Sequence, residues 1–184
     1  MFVRLMVEMA VISPEFLARA FVPLSLLMLL TLLPVAALWR RVQGESSRMP
    51  EPRNPTHLTS AILFAAMYAL VLFALAAAKD YTEGQAYYPL AMLSGIADVD
   101  ALNLSTARLA QLDPEIMRNG WRLVVVAVLS SMVFKAALAG ILGSWRLLVQ
   151  VAGLYWLPFL GGLGLLLFWP DGADAWVRSA IWRP

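Results

Sequence analysis

Long apolar runs alternate with short polar breaks along this chain, and the breaks hold most of the charge. Five runs stand out, at about 20–39, 58–78, 86–109, 123–142 and 147–169. Each is near the ~20 residues that carry an α-helix across ~30 Å of hydrocarbon. Strands with open edges would leave backbone groups unpaired in lipid. The pattern therefore predicts an all-α, polytopic integral membrane bundle of about five spans, forming a single transmembrane domain over 1–184. The stretch 43–55, with Gly44, Ser46, Ser47, Pro50, Pro52 and Pro55, reads as the one true linker, on the cytoplasmic side. Residues 1–15 read either as a short amphipathic surface helix or as the remnant of an upstream span. No internal repeat is visible, and the first run lacks the basic start and small-residue cleavage site of a secretory signal.

The third run departs from the others. Pro89 and the Ser94–Gly95 pair loosen its helix, so a break is expected near Ser94–Gly95, with Gly95 as the breaking residue. It also carries Asp98, Asp100, Asn103 and Ser105 in otherwise apolar sequence. A carboxylate at bilayer depth costs roughly 2.5–3.5 kcal/mol on insertion scales. On an ideal helix Asp98 and Asp100 point about 200° apart, so both reach one ligand only if the backbone unwinds between Gly95 and Val99. Unwound carbonyls together with carboxylates suit a hard cation, with Asp98 and Asp100 as its ligands and Ser94, Asn103 and Ser105 assisting. A proton relay uses the same groups. The other reading is polar glue, in which the carboxylates only staple the bundle.

Composition agrees with the bilayer. The chain is 61% hydrophobic and 14% charged, against about 25% charged in soluble domains. It has no Cys and a single His, so thiolate or His-rich metal chemistry is excluded. His57 opens the second run, where a solvated interfacial role suits it. Phosphate-binding loops, zinc-protease helices and nucleophile elbows are absent, and no basic cluster interleaved with aromatics points to nucleic acid. The sequence predicts no enzyme and no certain cofactor; Mg²⁺ or another cation enters only as cargo.

Charge placement adds a topology. If all five runs cross, Arg40, Arg41, Arg48, Arg53, Arg108, Arg118, Arg122, Arg178 and Arg183 share one side, and Arg4, Arg19, Lys79 and Arg146 the other. The richer side is expected in the cytoplasm, which puts the N-terminus outside and the C-terminus inside a bacterial inner membrane. Trp39, Trp121, Trp145 and Trp169 fall at span ends; Trp156 lies within a span and is expected to pack on a neighbour. Lys135, at a depth near the aspartates, is their expected charge partner, unless it snorkels out toward Gly143. Gly140, Gly143, Gly153, Gly161, Gly162 and Gly164 permit close packing, either inside the subunit or across a homodimer.

The run Leu93-Ser94-Gly95-Ile96-Ala97-Asp98-Val99-Asp100-Ala101, with Leu104-Ser105, Ala107-Arg108, Asn54-Pro55 and Lys135-Ala136, resembles the C-terminal membrane domain of unknown function of MgtC/SapB-type proteins. The resemblance covers about residues 20–170. It implies a bacterial inner-membrane protein tied to magnesium or other cation transport. The upstream MgtC-like spans of the family lie outside this chain, so the resemblance implies either a short stand-alone version or one partner of a separate MgtC-like chain. One departure is Ser131, where the family often carries Asn. Two functions follow as expectations: cation transport through the Asp pair, or a non-catalytic structural or regulatory subunit that binds another membrane protein.

Overall fold

Helix α1, Phe2–Ile12, buries Phe2, Leu5 and Met9, a one-sided stripe at helical spacing. It ends at Ser13 because the residue before a proline is driven to extended backbone, and Ser13 sits at φ −145°, ψ 89°. The Ser13 hydroxyl then accepts a hydrogen bond from the Phe16 amide at 3.4 Å and caps α2, Pro14–Val42, with Pro14 as its first residue. This computed structural model describes residues 1–42, 62 and 87–170 of the chain. The expected second span, the 43–55 linker and His57 lie outside the described residues.

Among the described residues four more long helices follow: α3, Tyr87–Ala97; α4, Val99–Ala110; α5, Pro114–Leu138; and α6, Trp145–Phe168. A π-helical turn, Ala139–Gly143, joins α5 to α6. Capping fixes two starts. Asp113 accepts from the Glu115 amide at 2.8 Å ahead of Pro114, and Ser144 accepts from the Leu147 amide at 3.3 Å. Among the described residues three helices are long and apolar enough to cross a membrane: Pro14–Arg40, Pro114–Ile141 and Trp145–Phe168, with mean hydropathies of 2.4, 2.2 and 1.8. They correspond to the first, fourth and fifth expected runs. Pro23, Pro34 and Pro158 lie within helices, as membrane helices tolerate when neighbours re-satisfy the freed groups.

The expected third span is two helices meeting at Asp98, and each of them is too short to cross alone. The interruption falls at Asp98, not at Gly95. Gly95 is helical and buried inside α3, where it lets two backbones touch: a Cβ there would lie 2.3 Å from the Ala127 carbonyl oxygen of α5. Asp98 has extended backbone, φ −157°, ψ 105°, and caps α4 by accepting from the Asp100 amide at 2.9 Å.

The core lies where α5 meets the other helices, around Phe16, Leu24, Leu27, Val124, Val125 and Val128. Contacts set the directions. A Cβ on Gly120 would meet Phe16 and Thr106 side chains at 3.1 and 2.9 Å, so the starts of α2 and α5 share an end with the last turns of α4. Trp121 and Trp169 meet edge to face at 6.1 Å, which brings the end of α6 there too. Leu30 packs on Gly161 and Leu129 on Gly162. So α2 and α5 run in the same direction and α6 runs back.

This arrangement corrects two expectations. Five complete crossings in series would put the start of the first and the end of the fifth at opposite ends, but here they share one. Arg108, Arg118 and Arg122 stand at that end, whereas Arg40 is some 36 Å further along α2 at 1.5 Å per residue. The charge count behind an outside N-terminus had placed these arginines together. Trp156 is also corrected: it is exposed on α6. Of the glycines, Gly161 and Gly162 serve contacts within the chain, while a Cβ on Gly153 or Gly164 would meet nothing within 4 Å among the described residues.

Candidate functional site

The interruption at Asp98 turns both aspartates toward one cavity. Asp98, Val99 and Asp100 line it with Gly95, Ile96 and Ala97 from α3, Met1 and Arg4 from α1, and Ser131, Phe134, Lys135 and Leu138 from α5. Its volume is about 600 Å³, room for roughly twenty waters at ~30 Å³ each. Asp98 is exposed to it and forms no ion pair among the described residues; Asp100 is mostly buried.

The partner of Asp100 is Arg4, not Lys135. The Arg4 guanidinium meets Asp100 Oδ2 in an ion pair, and its Nε lies 3.9 Å from Glu8 Oε1 one turn along α1. Lys135 lines the same cavity but is exposed and makes no ion pair among the described residues. Asn103 is fully buried beneath this pair and ties α4 to α1. Its Nδ2 donates to the Leu5 carbonyl at 3.1 Å and to Glu8 Oε2 at 2.9 Å. Both of those partners are acceptors, so the amide orientation is fixed. Gln111 adds a bond from its side-chain amide to the Ile12 carbonyl. Among the described residues two acceptor oxygens are left buried without a hydrogen-bond partner, Asp100 Oδ1 and Asn103 Oδ1.

The other expected assistants stand apart. Ser105 is exposed, and its hydroxyl donates to Ala101 of its own helix at 2.8 Å. Ser94 offers its carbonyl to the Asp98 amide at 2.7 Å, and its side chain does not line the cavity. Sequence reasoning missed Arg4 and Glu8 as site residues. Their signal was an i, i+4 pair of opposite charges in an otherwise apolar helix. Among the described residues no three His, Cys, Asp or Glu side chains converge as a metal set. The oxygens that line the cavity among the described residues are too few to replace the whole hydration shell of Mg²⁺.

Asn103 carries the junction of α1 with α4. Asn103→Leu is expected to destabilise the protein by about 1–2 kcal/mol, because Glu8 loses its buried donor. Trypsin should then cut after Arg4 faster, with α1 loosened. Unchanged melting and cleavage would show that the amide carries no weight.

Residues 1–143 match the family model described as a domain of unknown function, DUF4010. A relative from Aquifex aeolicus (strain VF5), named only as an uncharacterized protein, is 32% identical over 98 residues, which is 52% of this chain and 41% of the relative. The chain thus spans less than half the length of that relative. No solved structure matches.

Proposed function

This chain belongs to the DUF4010 family, and we propose that it is a bacterial inner-membrane protein that moves a small cation through the cavity at Asp98 and Asp100. One observation carries the reading: a helix interrupted at Asp98 brings two carboxylates of one apolar segment into a cavity, and one of them has no ion-pair partner among the described residues. An unpaired carboxylate among apolar helices is expensive, and function is the usual reason for keeping one. The resemblance of the Ser94-Gly95…Asp98…Asp100 run to the MgtC/SapB-type domain belongs to this proposal and agrees in kind with it. In this reading the bundle threads the membrane with the start of α2, the start of α5 and the end of α6 on one side. Asp98 is the first carboxylate a cation meets, and Asp100, held by Arg4, is the second.

The test is cation flux in proteoliposomes. Asp98→Asn should lower flux about tenfold or more, an effect of ~1.4 kcal/mol on the barrier, while melting stays near the parent's because asparagine also caps helices. Flux that survives Asp98→Asn and Asp100→Asn overturns the reading. A second reading, a structural or regulatory subunit or homodimer, is favoured by the open face of α6 at Gly153 and Gly164 and by the exposed valines Val3, Val7 and Val11 of α1. Absence of flux together with co-purification of a second membrane protein supports that one.

A further inference from the structure

Arg4 stands where a cation would. It pairs with Asp100 across two helices, yet its own side chain is 66% exposed, against 19% for Asp100 and 20% for Glu8. Glu8 is held by a buried amide, while the guanidinium that bridges the two carboxylates is largely exposed. Glu8 is pinned by the buried Asn103 amide at 2.9 Å and already lies 3.9 Å from Arg4 Nε. A few ångströms of movement on a long, flexible stem therefore carries the guanidinium from Asp100 to Glu8 without disturbing either helix.

The groups left behind favour a replacement. Asp100 Oδ1 and the fully buried Asn103 Oδ1 have no hydrogen-bond partner among the described residues, and residues three apart on a helix are neighbours on one face. Buried acceptors without a donor are costly and are matched by a donor or a cation. Formal charge points the same way. Counting side chains alone, Asp98 and Asp100 of the lining balance Arg4 and Lys135, and Glu8 beside Arg4 adds one negative charge. One singly charged cation neutralises the group, whereas a divalent ion reverses its sign.

We propose that Arg4 is a tethered counter-ion that occupies Asp100 until a singly charged inorganic cation displaces it toward Glu8, that cation binding Asp100 with the Asn103 carbonyl oxygen. The proposal rests on the cation reading of the cavity and names both its cargo class and the residue that yields to it. Arg4 is a positioning residue in this scheme: it sets the affinity of the site by competing for it.

The experiment is labelling of Asp100 by a hydrophobic carbodiimide, read by peptide mass spectrometry on the purified full chain in detergent. In choline chloride, whose methylated ammonium donates no hydrogen bond and cannot bring its charge into contact with bare oxygens, the parent protein should label weakly because Arg4 covers the carboxylate. Arg4→Gln should raise labelling on the order of tenfold, because a charge-assisted contact is lost. Replacing choline with sodium chloride should restore protection in that variant, and magnesium chloride at equal ionic strength should protect far less. Arg4→Lys, which keeps the charge, should behave like the parent, a rescue that a purely structural role for the guanidinium fork would not give. Equal labelling of parent and Arg4→Gln overturns the exchange, and equal protection by sodium and magnesium overturns the cargo class. If labelling follows the exchange but proteoliposomes carry no flux, transport is wrong and the counter-ion stands. If flux depends on Asp98 and labelling ignores Arg4, the reverse holds.

Discussion

Replacing Gly95 with valine is expected to be the most damaging single change in the described helices. A Cβ at this position would lie 2.3, 2.5 and 2.7 Å from the oxygen, Cα and carbonyl carbon of Ala127. All three are backbone atoms, so no rotamer change relieves the clash, and α3 must move off α5. Overpacking of ordinary cores costs about 1–3 kcal/mol; a backbone obstacle belongs at the top of that range or above it. Even Gly95→Ala should lower the melting temperature clearly, followed by fluorescence of the tryptophans in detergent. Ala127→Gly should not rescue it, since the obstacle is the Ala127 main chain. Gly153→Ala and Gly164→Ala are the controls. Among the described residues nothing lies within 4 Å of a Cβ at either, so the better helix former should be neutral or stabilise by up to ~1 kcal/mol. The same movement would open the cavity wall formed by Gly95, Ile96 and Ala97, so function should fall with stability. A Gly95→Val protein that melts like its parent would show that α3 does not sit on α5.

The second large effect is all or none. The chain has no cysteine, so single introduced cysteines report sidedness against no background. Glu15→Cys at the start of α2 and Leu112→Cys before α5 should react with a membrane-impermeant maleimide from the same side. Trp145→Cys at the start of α6 should react only from the other. Glu15, Leu112 and Trp145 are all exposed, so reagent access does not confuse the result. Five complete crossings give a different pattern, with Glu15 and Leu112 on opposite sides. Labelling of that kind would mean that the parallel run of α2 and α5 is wrong.

Much of this was legible from hydropathy. The runs at 20–39, 123–142 and 147–169 all lie in long helices, because a 20-residue apolar stretch has few other structures open to it. Their starts were read less well. The helix α5 begins nine residues before Leu123, at a cap signal, Asp113-Pro114, that carries no hydropathy. The sequence expected a break near Ser94–Gly95 to bring Asp98 and Asp100 together, and among the described residues the helix is interrupted at Asp98. The residue was misplaced because Gly95 has two uses, loosening a helix or admitting a neighbour, and only the tertiary contact with Ala127 decides between them. The partner of Asp100 was not legible at all. Depth along a helix made Lys135 a reasonable choice, but depth fixes no angle. Arg4 won because Ser13 and Pro14 fold α1 back along α4, a long-range event that hydropathy does not encode. Helix direction was beyond the charge count for the same reason: counting assumes a crossing for each apolar run.

Asp98 has two employers. Its carboxylate holds the first turn of α4 by accepting from the Asp100 amide, and the same carboxylate lines the cavity. Anything that draws both of its oxygens away leaves that amide bare and frays the helix start, at a cost near 1 kcal/mol for a lost cap. Affinity at Asp98 is then lowered by roughly fivefold relative to a carboxylate with no second duty. By reciprocity, anything that stiffens the first turn of α4 opposes release of the cap, and anything that loosens it favours binding. Occupancy of the cavity and order of a helix thus become one equilibrium, read equally well as ligand binding or as amide exchange at Asp100.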